Sequence, residues 1–455
     1  MLADPIVALV TPPGRSALAM IRLSGRGAFD VAARALQPFH PDPPRTVRRV
    51  RVVHPATGAR VDDALAACFP GPRSYTGEDL VELSTHGGLL VPAAAVSALA
   101  AAGARPAAPG EFSRRALVNG KLDLLQAEAT ADLIDAGSPA QARSALHQLD
   151  RGLSVRLERL RAELLELEAL IAYDIDFPEE DDGAVAPAKV EHAWRTVRDR
   201  IAQLLLTAPE GERLREGALL VIAGRPNAGK SSLFNALLGA ERAIVTEVPG
   251  TTRDAIEAYA VLEGFPFRLV DTAGLRESVD RVERLGIEVS RKYLAAADLV
   301  VFCEAADEEA GAGEADGAGA ARAAFLAACR APVVRVRTKV DLAAAAPLPD
   351  AVAGVSVLTG TGLAPLKRAL AEVAFARLLA LGDVEPVITR ARHRDALERA
   401  LADVDAFGAA RQAGVDAAAT ATHLRAAVGA LDDLIGVVTP DDVLDRVFAS
   451  FCVGK

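Results

Sequence analysis

Gly224-Arg225-Pro226-Asn227-Ala228-Gly229-Lys230-Ser231-Ser232 is the stretch on which the reading of this chain turns. It fits Gly-x4-Gly-Lys-Ser, a loop whose backbone N–H groups and lysine hold a nucleotide's phosphates while the serine hydroxyl reaches Mg²⁺. The apolar run from Ala218 to Ala223 predicts a buried strand entering the loop, and Ser232 to Leu238 predicts a helix leaving it. A phosphate held there meets a helix N-terminus, where unpaired N–H groups favour an anion.

Further along, Gly250-Thr251-Thr252 offers a hydroxyl that completes a Mg²⁺ shell. A strand expected over Phe267 to Val270 delivers Asp271-Thr272-Ala273-Gly274, where the carboxylate can hold a metal-bound water and Gly274 can give its N–H to a γ-phosphate. After a strand expected over Pro332 to Val336 comes Thr338-Lys339-Val340-Asp341, whose carboxylate can take two N–H donors from guanine. Adenine would leave that carboxylate unpaired, a large penalty. Ser356-Val357 closes the base pocket. In this order and spacing the motifs predict a GTPase domain.

Leu275 follows Asp-Thr-Ala-Gly and has no group to orient an attacking water as the glutamine of Ras does, so that role is sought among Glu277, Asp280, Glu283 and Glu288. No arginine finger is evident. Asn227 can instead help hold a cation at the β- and γ-oxygens, which would neutralise the charge that develops there.

A chain of 455 residues exceeds one ordinary core and predicts two to four domains. With 51% hydrophobic and 25% charged residues it has the composition of a globular protein. The start lacks a basic n-region and no run of 18 apolar residues occurs, so a cytoplasmic protein that does not span a membrane is expected. Cys68, Cys303, Cys329 and Cys452 are far apart and lack zinc-ligand spacing, which predicts reduced thiols. A net charge of -10 argues against a broad basic surface for nucleic acid, so any RNA substrate needs a partner or a local patch to hold it.

Taken in order, residues 1 to about 120 mix short apolar runs with Pro and Gly turns and read as a small α+β domain. Strands are expected at Ile6 to Val10, Ala19 to Leu23 and Leu80 to Leu83, and a helix at Leu89 to Ala102. From Leu122 helical spacing takes over, with Leu153, Leu157, Leu160, Leu164, Leu167 and Ile171 on one face, an acidic break over Asp174 to Asp182, and a helix over Val190 to Leu206. Strands and helices then alternate to about residue 375, a loop is expected over Ala305 to Ala321, and Arg390 to Lys455 is helical again. The simplest organisation is a helical domain in two halves with an α/β domain inserted between them.

Beyond these motifs the chain resembles the MnmE (TrmE) family of bacterial tRNA-modification GTPases. The resemblance runs through Thr11-Pro12-Pro13-Gly14-Arg15, Tyr75-Thr76-Gly77-Glu78-Asp79, His86-Gly87-Gly88, Pro109-Gly110-Glu111-Phe112, Asn119-Gly120-Lys121-Leu122-Asp123-Leu124 and Phe451-Cys452-Val453-Gly454-Lys455. It implies a multidomain α/β + α fold: an N-terminal α+β folate-binding domain (1–121) that dimerises, a discontinuous helical domain (122–216 and 376–455) and an inserted Ras-like P-loop GTPase domain (217–375). It also implies a homodimer that joins a FAD-dependent partner, MnmG (GidA), in a heterotetramer. Together they modify C5 of the wobble uridine of certain tRNAs, with GTP, Mg²⁺, K⁺ and 5-formyltetrahydrofolate (5,10-methylenetetrahydrofolate in turnover) as cofactors.

Carried over by position, the nucleotide contacts are Asn227, Ala228, Gly229, Lys230, Ser231, Ser232, Thr246, Glu247, Val248, Pro249, Gly250, Thr251, Thr252, Asp271, Thr272, Ala273, Gly274, Thr338, Lys339, Val340, Asp341, Ser356, Val357 and Leu358. Ser231 and Thr252 match the Mg²⁺ ligands, and Asn227, Thr246, Val248 and Thr251 the potassium site. Arg22, Glu82, Lys121 and Lys455 match folate contacts. Glu283 matches the water-orienting acid and stands with Arg253, Asp254 and Cys452 in the implied catalytic set. Three positions depart from the family's pattern. Val357 replaces Ala, Val453 replaces Ile, and Thr338 replaces the usual Asn, with an expected loosening of the contacts that brace the base pocket. The apolar anchors Phe448, Phe451 and Val453 lead us to expect the segment 447–455 to pack on the N-terminal domain, with Lys455 at the anionic end of the folate and the Cys452 thiol near the one-carbon unit.

Two other classes share some of these features. A GTP-switched ribosome-assembly factor would carry the same motifs between 224 and 358 but needs a basic RNA-binding module. A folate-dependent one-carbon enzyme would turn over without GTP.

Overall fold

The computed structural model describes residues 4–176, 186–239, 257–271, 292–306, 325, 327, 329–342, 353–381, 387–436, 444, 447–448, 451 and 454. Contacts group the chain into two compact units, Met1–Ala131 with Asp432–Lys455, and Asp132–Leu431.

The first unit is built on a seven-stranded sheet of β1 (Ile6–Leu9), β2 (Leu18–Ser24), β3 (Leu36–Gln37), β4 (Val47–Val53), β5 (Arg60–Phe69), β6 (Leu80–His86) and β7 (Arg105–Pro106), in the order β3-β4-β5-β6-β2-β1-β7. The pairings are antiparallel except β1 with β7. Alternation decides the faces: Ile21 and Leu23 on β2, Val50 and Val52 on β4 and Val81 and Leu83 on β6 join a core with Val31 and Leu99 of the helices Ala28–Ala35 and Val91–Ala101. The opposite face carries Arg22, Glu82, Arg49 and Leu65, none of them buried. Pro92 sits in the first turn of the second helix, where a missing N–H costs nothing.

Part of the core of this unit comes from far along the chain. Phe448 and Phe451, 3% and 5% exposed, pack with Ala127 and Ala131 and against Leu117. Their rings meet edge to face at 5.3 Å between centroids. Burial of the two rings contributes about 1.5–3 kcal/mol each. Gly454 lies against β1: a Cβ there would stand 2.5 Å from the Leu9 carbonyl oxygen. The expected packing of this segment on the N-terminal residues is thus present at Phe448, Phe451 and Gly454. Cys452, Val453 and Lys455 lie outside the described residues.

The second unit combines helices with a six-stranded sheet: β8 (Ala218–Gly224), β9 (Glu257–Leu262), β10 (Phe265–Asp271), β11 (Leu299–Ala305), β12 (Val333–Thr338) and β13 (Ala353–Val355), ordered β13-β12-β11-β8-β10-β9. Only β9–β10 is antiparallel. Ala218 to Ala223 are all buried, which suits a central parallel strand covered on both faces and explains its unbroken apolar run. With β8 flanked by β10 and β11, the loop after it lies where the strand order reverses, the place where such sheets bind ligands.

Among the helices, Gly152–Asp176 buries Leu153, Leu157, Leu160, Leu164, Leu167 and Ile171 as its spacing predicts, and it runs three residues into the expected acidic break. Helices Pro187–Leu205 and Ala391–Gln412 cross closely at Gly408, where a Cβ would stand 2.1 Å from a ring carbon of Trp194. The Trp194 indole N–H donates to the Val404 carbonyl at 2.8 Å. No described helix is long and apolar enough to cross a membrane.

Candidate nucleotide site

The phosphate loop leaves β8 at Gly224, whose φ of 146° and close approach to β11 admit no side chain: a Cβ would stand 2.5 Å from the Cys303 carbonyl oxygen. Asn227 and Gly229 both take left-handed backbone, at φ 62° and 77°. That turns successive N–H groups into the loop and starts the helix Lys230–Leu238 at Lys230, two residues earlier than sequence spacing alone suggests. Lys230 is buried and its Nζ donates to the Arg225 carbonyl across the loop at 2.6 Å.

The Ser231 hydroxyl donates to the Asp271 carboxylate at 2.7 Å. One group comes from the loop and the other from the end of β10, so the fold brings two expected nucleotide-site residues into contact. Two hard oxygen groups at that distance suit Mg²⁺, which takes carboxylate and hydroxyl oxygens together with phosphate. Ser232 is exposed on the next turn position.

Thr338, which stands where the family's pattern has Asn, is 3% exposed, and its hydroxyl donates to the Ala228 carbonyl of the phosphate loop at 2.7 Å. The shorter side chain still ties β12 to the loop, because Thr338 closes to within 3.5 Å of where a Cβ on Gly229 would be. Next to it Lys339 adopts φ 58° and Asp341 is exposed. Val340 N–H donates to the Val355 carbonyl at 3.4 Å, which sets the Thr338–Asp341 loop beside the loop that follows β13. In that second loop Ser356 is buried, Val357 is at the edge of exposure and Leu358 is 86% exposed.

Beneath the loop lies a residue without a role in the sequence reading. Burial pushes the Cys303 thiol up to about 12, against the nearby Lys230 ammonium, so it stays a neutral packing group.

In the first unit Arg22 and Glu82 face each other in register on β2 and β6. Two guanidinium N–H groups of Arg22 donate to one Glu82 oxygen, at 2.7 and 3.2 Å. The same guanidinium lies 4.9 Å from the Tyr75 ring centroid and 5.7 Å from that of Phe112, within cation–π range. Lys121 is exposed beside Gly77, where a Cβ would stand 3.3 Å from its Cγ.

Underneath runs a charged network, of which the sequence reading quoted Glu78 and Glu111 without giving them roles. Arg115, 1% exposed, donates to Glu111 at 2.9 Å, to Glu78 at 3.1 Å and to the Asp4 carbonyl at 2.9 Å. Arg105 donates to Glu111 at 2.6 Å. Burial would raise the Glu111 carboxyl, but bonds from Arg105, the Ala108 N–H and Arg115 outweigh it and hold the group down at about 2. The signal available in sequence was the pair of acids, Glu78 and Glu111, within turn-rich motifs.

The remaining sequence-derived residues, Thr246, Glu247, Val248, Pro249, Gly250, Thr251, Thr252, Arg253, Asp254, Thr272, Ala273, Gly274, Glu283, Cys452 and Lys455, lie outside the described residues.

Two family models match the chain. That of the MnmE helical domain covers residues 124–452. That of the GTP-binding protein TrmE N-terminus covers residues 5–121. Among curated proteins, a tRNA modification GTPase MnmE of Methylorubrum populi is 44% identical over 97% of this chain and 96% of its own length. The protein of the same name from Thermus thermophilus is 43% identical over 100% of this chain and 99% of its own, and that from Laribacter hongkongensis is 41% identical over 100% and 99%. Similarity at this level, held from one end of the chain to the other and including both the phosphate loop and the N-terminal motifs, places the chain in the MnmE family.

Proposed function

We propose that this chain is a GTP hydrolase of tRNA modification. The observation that carries the reading is the Ser231–Asp271 contact at 2.7 Å, set between a glycine-capped phosphate loop and a base-reading loop braced by Thr338. In such a site the backbone N–H groups after Asn227 and the Lys230 ammonium cradle the phosphates, and Asp341 accepts the two N–H groups that guanine presents. Bound Mg²⁺ supplies charge neutralisation at the β- and γ-oxygens. Ser231 and Asp271 are the residues that would hold and orient that ion.

On the family's pattern we extend the reading. The substrate position is C5 of the wobble uridine, the carbon comes from a tetrahydrofolate one-carbon unit, and a FAD-dependent MnmG works alongside in a heterotetramer with the homodimer of this chain. The setting is the cytoplasm. Domain limits at 121, 216 and 375 go with this reading, as do Glu283 as the water-orienting acid, Arg253 and Asp254 beside it, and Thr246, Val248 and Thr251 with Asn227 as a potassium site. Arg22, Glu82, Lys121 and Lys455 are the proposed folate contacts.

Mass analysis of wobble uridine in cells lacking this protein tests the function. Modification should vanish, return with the parent gene and not return with Lys230→Ala. Unaltered nucleosides in the deleted cells overturn the reading. The cation proposal has its own test: GTP turnover at equal ionic strength should depend on K⁺ and hardly on Na⁺.

A further inference from the structure

From Pro43 to Val61 the chain carries Arg45, Arg48, Arg49, Arg51 and Arg60 and no acidic residue, within a protein of net charge -10. Strand pairing gathers part of this run into one patch. Arg51 is opposite Asp63 and Arg49 opposite Leu65 on the antiparallel pair β4–β5, so these side chains share the sheet face turned away from the helices. Arg60 reaches back along the strand to the same place.

Asp63 is the one carboxylate there that all three guanidiniums face. Arg60 stands 2.6 Å from it, Arg49 2.7 Å and Arg51 3.9 Å. Its neighbour Asp62 is engaged elsewhere, accepting from the His86 N–H at 2.8 Å and lying 2.7 Å from the His86 ring nitrogen. Three positive charges thus share one negative charge, while Arg195 and Arg425 in the other unit each have a carboxylate at 2.7 and 2.6 Å. The three side chains are 77%, 56% and 60% exposed, and each guanidinium carries five N–H donors in a planar fork that matches a phosphate.

We propose that this arginine face of the N-terminal sheet holds tRNA by its phosphate backbone. The inference rests on the reading of the chain as a tRNA-modifying enzyme. It also answers how so acidic a protein meets a polyanion: locally, through a patch where arginine is under-neutralised. β4 contains no aromatic residue and Phe69 lies at the far end of β5, so the ring beside the patch is the His86 imidazole, which is tied to Asp62. The patch reads backbone rather than sequence. Contacts of that kind weaken uniformly across sequences when removed and lower the salt dependence by about one unit of slope each.

The full chain is titrated with labelled tRNA transcripts of several anticodons between about 50 and about 200 mM salt. The triple variant Arg49→Gln, Arg51→Gln, Arg60→Gln should bind at least ~10-fold more weakly, with the slope of log affinity against log salt reduced by about 3 and the loss equal across the transcripts. Asp63→Asn removes the competing carboxylate and should tighten binding ~2–3-fold, a gain that a purely structural role for these side chains would not produce. The double variant Arg195→Gln, Arg425→Gln should bind as the parent does, and GTP turnover should be unaltered throughout. Parent-like affinity and slope in the triple variant overturn the proposal, as does weakening confined to one transcript or weaker binding by Asp63→Asn. A parent that restores wobble modification in cells while the triple variant still binds normally refutes the patch alone. A parent that restores no modification refutes the enzyme reading itself.

Discussion

Thr338 ties β12 to the phosphate loop through one buried bond, its hydroxyl donating to the Ala228 carbonyl at 2.7 Å. Thr338→Val keeps the shape and removes the donor, leaving a buried carbonyl short of a partner at a cost of about 1–3 kcal/mol. GTP affinity measured with a fluorescent nucleotide should fall by up to roughly 5- to 140-fold, since about 1.4 kcal/mol is tenfold. Thr338→Asn should stay near the parent. A second residue-scale expectation concerns acid. Glu111 is held at about 2 in the folded protein against an ordinary 4.5. A carboxyl lowered on folding stabilises the native state above its ordinary value, and that stabilisation is lost as pH falls from 4.5 toward 2. The thermal midpoint of the parent should therefore drop across this window, and the drop should be smaller in Glu111→Gln once its own lower starting stability is subtracted. Parallel curves for the two proteins would remove Glu111 from the acid response.

At the scale of elements, the seat of Phe448 rests on Gly110, which starts the helix Glu111–Val118 at φ 65° and stands so near that a Cβ would lie 2.8 Å from the Phe448 carbonyl oxygen. Gly110→Ala should displace the phenyl ring and cost about 1–3 kcal/mol by overpacking, with a further contribution from the strained backbone. Differential scanning calorimetry reads the loss, and GTP turnover should not change. What sequence made legible among the elements follows from the same physics. β8 and the helix after it were readable because a strand buried on both faces is one apolar run and the loop needs its glycines. β4 and β5 were not singled out: Arg48 on the core side and Val47 on the outward side invert the alternation of β4, and β5 opens on Arg60, Asp62 and Asp63. The helix over residues 230–238 begins earlier than its apolar residues do, because the left-handed cap at Gly229, rather than a hydrophobic side chain, sets the first turn. The Arg22–Glu82 pair was nameable only through family likeness; that the two would bond each other depends on strand register, which spacing within either strand does not reveal.

For the whole molecule, the two compact units divide the tasks. The phosphate loop belongs to one, and Phe448, Phe451 and Gly454, which flank Cys452 in sequence, are seated in the other. Cys452→Ser is therefore expected to abolish wobble-uridine modification in cells while the purified variant hydrolyses GTP at the parent rate. Full modification by that variant would make the cysteine dispensable. The packing of Phe448 on Ala127 and Ala131 also has a consequence for the order in which the protein is made. More than 300 residues of translation separate the two sides of that nest. At about 5–20 residues per second the ribosome needs roughly 15 to 60 seconds to deliver the aromatic rings after the alanines have emerged. Throughout that interval the nascent N-terminal unit carries an unfilled apolar hollow, and a chaperone that shields it would be holding a place for residues not yet synthesised.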